Sequence, residues 1–144
     1  MKKKMNKGFT LIEVLVVIGI IAILAAIVVV AVNPARQFAQ ANNSQRWSNV
    51  NAILNAVHQY SVDNRGALPA GINGTETEIC TTGGTCTGLV DLGVLVPTYI
   101  VAMPTDPTGS TANGTGYNIG TTTGNRIIVS APSQELNQTI EVER

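Results

Sequence analysis

A chain of 144 residues is long enough for one domain with a modest core. Its nine basic and nine acidic side chains cancel, but four of the basic ones (Lys2, Lys3, Lys4 and Lys7) precede residue 8. Beyond them five basic residues face nine acids, which excludes nucleic-acid binding through overall positive charge.

The apolar run comes first in the chain and organises the rest. Phe9-Thr10-Leu11-Ile12-Glu13 leads into nineteen residues, Val14 to Val32, without a charged or polar side chain. As a helix these rise ~28 Å at ~1.5 Å per residue, close to the ~30 Å hydrocarbon core of a bilayer. A cleaved secretory signal has a shorter apolar core, and no cysteine follows for a lipoprotein signal. A plain signal anchor fits the length but leaves Glu13 inside the apolar segment without a partner, where an acid is costly. Cleavage after Gly8 accounts for every part: it removes the basic leader and makes Phe9 a new amino terminus, about one helical turn from Glu13. The lysines before the run and Arg36 after it orient the N-terminus to the cytoplasm. Gly19, Ala22 and Ala26 lie at helical spacing and suit close helix approach, though such residues are also simply common in spanning helices.

Gly8-Phe9-Thr10-Leu11-Ile12-Glu13-Val14 followed by a long apolar helix resembles the class III leader of type IV pilins and the related pseudopilins. The resemblance covers about 25 residues. It implies a prepilin peptidase that cuts between Gly8 and Phe9 and N-methylates Phe9. It also implies an assembly role for Glu13, its carboxylate pairing with the Phe9 amine of a neighbouring subunit in a helical homo-polymer. A membrane platform protein and a cytoplasmic assembly ATPase follow as partners by the same resemblance. The location it implies is a single pass through the cytoplasmic (inner) membrane before assembly and an extracellular filament afterwards. The family commonly has a proline inside the apolar run; here the first proline is Pro34, after it.

After Asn33-Pro34, where a bend or loosened turn is expected, Trp47, Val50, Ile53, Leu54, Val57 and Ser61 repeat at helical spacing, with Arg46, Asn49, Asn51, Asn55 and Gln59 between them. One helix is expected from residue 9 to about 64, ending where Gly66 takes a left-handed conformation. His58, beside the stripe, reads as a partly exposed helix residue. Residues 70–88 read as a Gly/Thr-rich loop containing Cys80 and Cys86, with a short hairpin around the two cysteines as the alternative. Outside the cytoplasm such a pair can oxidise, and Thr81 to Thr85 can close the small loop, so a disulfide is expected. A zinc site is not, because two thiols and one distant histidine do not supply four ligands. Leu89 to Val96 predicts a short helix or turn. Pro97-Thr98-Tyr99-Ile100 and Pro104-Thr105-Asp106-Pro107 resemble the connection before the sheet in pilin-like heads. Strands are expected around Tyr117–Ile119, Arg126–Ala131 and Thr139–Glu143.

The expected fold is α+β: a long N-terminal helix, transmembrane then amphipathic, packed on a small antiparallel sheet. The expected divisions are a cleaved leader (1–8), a membrane or filament-core helix (9–33), an amphipathic helix (34–66) and a head with a disulfide loop (67–144). No catalytic motif appears: there is no Gly-rich phosphate loop, His-Glu-x-x-His or Gly-x-Ser-x-Gly. An enzyme and a cofactor are therefore not expected. Glu76, Glu78, Asp91 and Asp106 lack the dense spacing of a calcium loop and read as solvated loop acids. Asn42, Asn73, Asn113 and Asn137 each begin an Asn-x-Ser/Thr triplet. The functional expectation is a pilin of a surface filament, with adhesion to surfaces, motility or DNA uptake as downstream uses. The alternatives are a pseudopilin of a type II secretion system and a membrane-anchored extracytoplasmic binding protein that does not polymerise.

Overall fold

The computed structural model describes residues 8–144, so Lys2, Lys3, Lys4 and Lys7 of the expected leader lie outside the described residues. The chain divides after Gln37 into two units.

The first unit holds α1, Leu11–Val32, and the start of α2, Pro34–Asp63. No residue of α1 is buried. Its apolar composition all round is what a hydrocarbon or helix-bundle environment requires. The single run expected from residue 9 to 64 is interrupted at one residue. Asn33 adopts a left-handed conformation (φ 45°, ψ 78°) and ends α1, and Pro34 has no N–H to continue the ladder. Asn33 then caps the next helix: its Oδ1 accepts from the Arg36 N–H at 3.3 Å, and its carbonyl accepts from Arg36 and Gln37 at 3.1 and 3.3 Å. An Asn-Pro pair thus supplies both the stop and the restart.

The second unit, Phe38–Arg144, contains the rest of α2 and a four-stranded antiparallel sheet in the order β1-β2-β3-β4. The strands are β1 Thr77–Cys80, β2 Gly114–Thr121, β3 Ile127–Ser130 and β4 Glu141–Glu143. Val50, Ile53, Leu54 and Val57 of α2 are fully buried in one core with Ile79, Tyr117, Ile119 and Val129 of the sheet. The fold is the α+β arrangement expected, with one strand more. β1 lies in the segment read as a loop or short hairpin; it pairs Thr77 with Ile119 and Glu78 with Asn118 and bulges before Cys80. Its free edge is covered where the Cys80 N–H donates to the Val90 carbonyl and the Val90 N–H to the Glu78 carbonyl, both at 2.9 Å. The opposite edge, β4, is three residues long and carries Glu141 and Glu143, which discourages edge pairing. Leu89 to Val96 contains the short turn of helix expected there, Gly93–Leu95. Cys80 and Cys86 form a disulfide.

The stripe on α2 differs from expectation at its ends. Trp47 is 39% exposed and Ser61 half-buried, whereas Asn43, Arg46 and Asn49 are buried. The first turns of the helix in this unit meet polar loop segments, Thr105–Gly109 and the stretch around Glu135, instead of apolar strands. Hydrogen-bonding side chains therefore fill that contact. Between Arg36 and Asp63 the one charged side chain is Arg46, which is inside; the exposed positions Gln40, Ser44, Ser48, Asn55 and Gln59 are uncharged.

Candidate functional site

The segment at the start of α1 is open to solvent. Among the described residues nothing lies within 4 Å of where a Cβ on Gly8 would be, and Phe9 is 90% exposed. The bond between them is therefore sterically accessible. Thr10 is extended (φ −83°, ψ 152°) and caps α1: its Oγ1 accepts from the Glu13 N–H at 3.3 Å. Glu13 returns the contact, its Oε2 accepting from the Thr10 N–H at 2.8 Å and from the Thr10 hydroxyl at 2.9 Å. This is a reciprocal capping box, which places the carboxylate over the free N–H groups and positive end of the helix. The Thr-x-x-Glu spacing announces it in the sequence, and reading Glu13 only through an intersubunit partner missed it. Glu13 thus has a local partner within a single chain, and one turn separates it from Phe9.

A second polar constellation lies in the second unit, and the sequence reading did not assemble it. Asp106, expected as a solvated loop acid, is buried, and Arg46, expected on the polar face of α2, is fully buried against it. Arg46 Nε donates to Asp106 Oδ2 at 2.7 Å and Nη2 to Oδ1 at 3.1 Å, a two-pronged pair. Nη1 donates to Glu135 Oε2 at 2.8 Å and to Asn43 Oδ1 at 2.9 Å. The remaining lone pairs of Asp106 accept from the Thr108 and Gly109 N–H groups at 2.9 and 2.7 Å. Gly116 (φ +80°) passes so close that a Cβ there would lie 2.7 Å from the Asp106 Cβ. Asn49 extends the network, its Nδ2 donating to the Tyr117 hydroxyl at 2.8 Å. The cluster ties α2 to two loops. Glu76 and Glu78 are likewise engaged, with the Ser130 hydroxyl and the Gly116 N–H. His58 is half-buried on α2, as a helix residue beside Val57.

The charges of the cluster are mutually reinforced. Burial alone pushes Asp106 up; the Arg46 guanidinium and the two loop N–H groups outweigh it and hold the carboxyl below its usual range. Arg46, then Asn42, holds Glu135 low as well. Hydrogen bonding to Asp106 raises Arg46 further. Because both carboxyls have folded values below their unfolded ones, their contribution to stability is complete above the unfolded range, about pH 4, and is lost as pH falls through the lowered folded values. Thermal melts of the chain in detergent micelles should therefore give a steady midpoint from about pH 7 to 5 and a falling one below about pH 4. An Asp106→Asn chain should melt lower at neutral pH and show a shallower acid decline.

Residues 3–29 match the family model of the prokaryotic N-terminal methylation motif. No curated protein and no solved structure matches the chain. The matched span contains Gly8, Phe9 and Glu13 and most of α1. The chain thus carries, at residues 3–29, the N-terminal methylation motif (class III prepilin leader) typical of type IV pilins and pseudopilins, followed in sequence by an α+β unit.

Proposed function

We propose that the chain is a structural subunit of a type IV pilus-like surface filament. A prepilin peptidase cleaves it between Gly8 and Phe9 and methylates the Phe9 amine, and the chain then polymerises through α1. Before assembly, α1 anchors it in the cytoplasmic membrane with the N-terminus inside and residues beyond α1 outside. The observation that carries the reading is α1 itself: 22 residues with none buried, and Glu13 as the sole charge, one turn from Phe9. A monomeric soluble protein would not leave such a helix uncovered. Stacked copies bury it side by side, with a heterologous contact that does not close and so extends as a filament. Platform protein and assembly ATPase enter the proposal as the machinery such a polymer needs.

Shearing cells and weighing the protein in the released fraction tests this directly. A chain beginning at methylated Phe9 in sheared filaments is the expected result. The same processed chain confined to membranes would move the assignment to a secretion pseudopilin. A chain in the membrane that still begins at Met1, beside an active peptidase, would overturn the processing and the polymer together.

A further inference from the structure

The four Asn-x-Ser/Thr triplets are not used by the proposed assembly, and the fold separates them. Asn42 lies within α2, half-buried, and its amide donates to Glu135 Oε2 at 2.9 Å. Asn113 precedes Gly114 and Thr115 of β2; Thr115 is fully buried, with its hydroxyl donated to the Ile79 carbonyl at 2.9 Å. A transferase that must reach both the asparagine amide and the hydroxyl cannot engage either in the folded head. Asn137 is exposed but left-handed (φ 53°), and the next residue, Gln138, is held to α2 by the Asn43 amide at 3.0 Å.

Asn73 differs in exposure, and its amide is held locally: Nδ2 donates to the Gly71 carbonyl at 3.2 Å, within the same exposed loop. Asn73, Gly74 and Thr75 are all exposed, and the space where a Cβ on Gly74 would stand is empty to 4 Å. The Thr75 N–H donates to Asn73 Oδ1 at 2.9 Å, an Asx turn that brings the carboxamide and the threonine onto one side of the bend. The turn is also presented from a fixed base, since the Asn73 carbonyl accepts from the Thr121 N–H at the end of β2 at 2.7 Å. We infer that Asn73 is an N-glycosylation acceptor for a lipid-diphosphate-linked oligosaccharide. In the transfer, Asn73 Nδ2 bonds to the anomeric carbon of the first sugar as the bond from that carbon to the diphosphate oxygen breaks. The lipid diphosphate leaves with the electron pair, and the amide proton passes to a base on the transferase. The inference rests on the membrane orientation proposed above, which puts the head on the side where such donors are used; it does not require polymerisation.

The test uses the full chain in micelles with a purified oligosaccharyl transferase and its lipid-linked donor, read by intact mass and peptide mapping. The expected result is a single glycan on Asn73, unchanged in Asn137→Gln and absent in Asn73→Gln. A peptide of residues 71–77 run beside it reports the local sequence alone. A glycan on the peptide but not on the folded chain would overturn the inference, as would failure of the peptide itself or a glycan mapped to another asparagine. If the isolated chain accepts the glycan but the same chain from cells that carry the transferase does not, the membrane orientation is what fails.

Discussion

Replacing Glu13 with Ala is expected to abolish filaments while leaving the protein in the membrane and its leader removed. Among packed apolar helices an uncompensated carboxylate is costly, and the nearest cation a neighbour can offer is the Phe9 amine. At ~4 Å and an effective dielectric of ~20 the raw attraction is about 4 kcal/mol, much of it offset by desolvation of both charges. In the proposed filament the pair would act mainly to set axial register, with apolar packing of α1 supplying the cohesion. The capping box offers a competing role for the same residue, as part of the N-terminal cap of α1. Glu13→Gln separates the two. Glutamine can still accept from the Thr10 N–H, as glutamine does in such boxes, but carries no charge. The expectation is that Gln fails to assemble as Ala does. Filaments at wild-type yield from the Gln chain, counted in the sheared fraction, would show Glu13 to be a helix cap and nothing more.

The second large effect is on the head. Arg46→Ala should destabilise it by about 3–5 kcal/mol, the usual result of stranding a buried charge, against a total of about 5–15 kcal/mol for a domain. Asp106 would be left fully enclosed, with loop N–H groups and the Thr108 hydroxyl to offset its charge. Denaturant unfolding of the chain in micelles, followed by the fluorescence of the adjacent Trp47, measures this. The double variant Arg46→Ala/Asp106→Ala should lose less than the two single losses together, since removing both charges strands neither. Losses that simply add would mean that Arg46 contributes by packing and that the ion pair is incidental.

These two sites were unequally visible in the sequence. The leader, the apolar run and Glu13 stand in a contiguous stretch, and their meaning depends on spacing along one helix. The stripe Val50, Ile53, Leu54 and Val57 was legible for the same reason, and it is the buried face of α2. Arg46 sits on that stripe too, four residues before Val50 and seven before Ile53, but a charge there reads as solvated unless its partner is known. The partners, Asp106 and Glu135, are 60 and 89 residues away, and only the folded loops bring them in. β1 falls where the sequence leaves a loop and a short hairpin both open, because Thr77-Glu78-Ile79-Cys80 is short and half polar; its pairing with β2 and the Val90 bridge makes it a strand. Asn33-Pro34 was legible as a perturbation. The left-handed turn of Asn33 makes it a complete break.

The outward face of α2 has a consequence for the medium in which the protein works. Between the exposed Arg36 and Asp63 near its two ends, the one charge of α2 is turned inward, so that stretch of the face has no fixed charge of its own for dissolved ions to shield. The screening distance shrinks from ~10 Å at 0.1 M salt to ~3 Å at 1 M, which weakens a surface pair such as Arg126–Glu143 but has little to act on along Gln40, Ser44 and Ser48. An association made through those uncharged positions is expected to draw little on ion pairing from this side and to lose little by charge screening as salt rises.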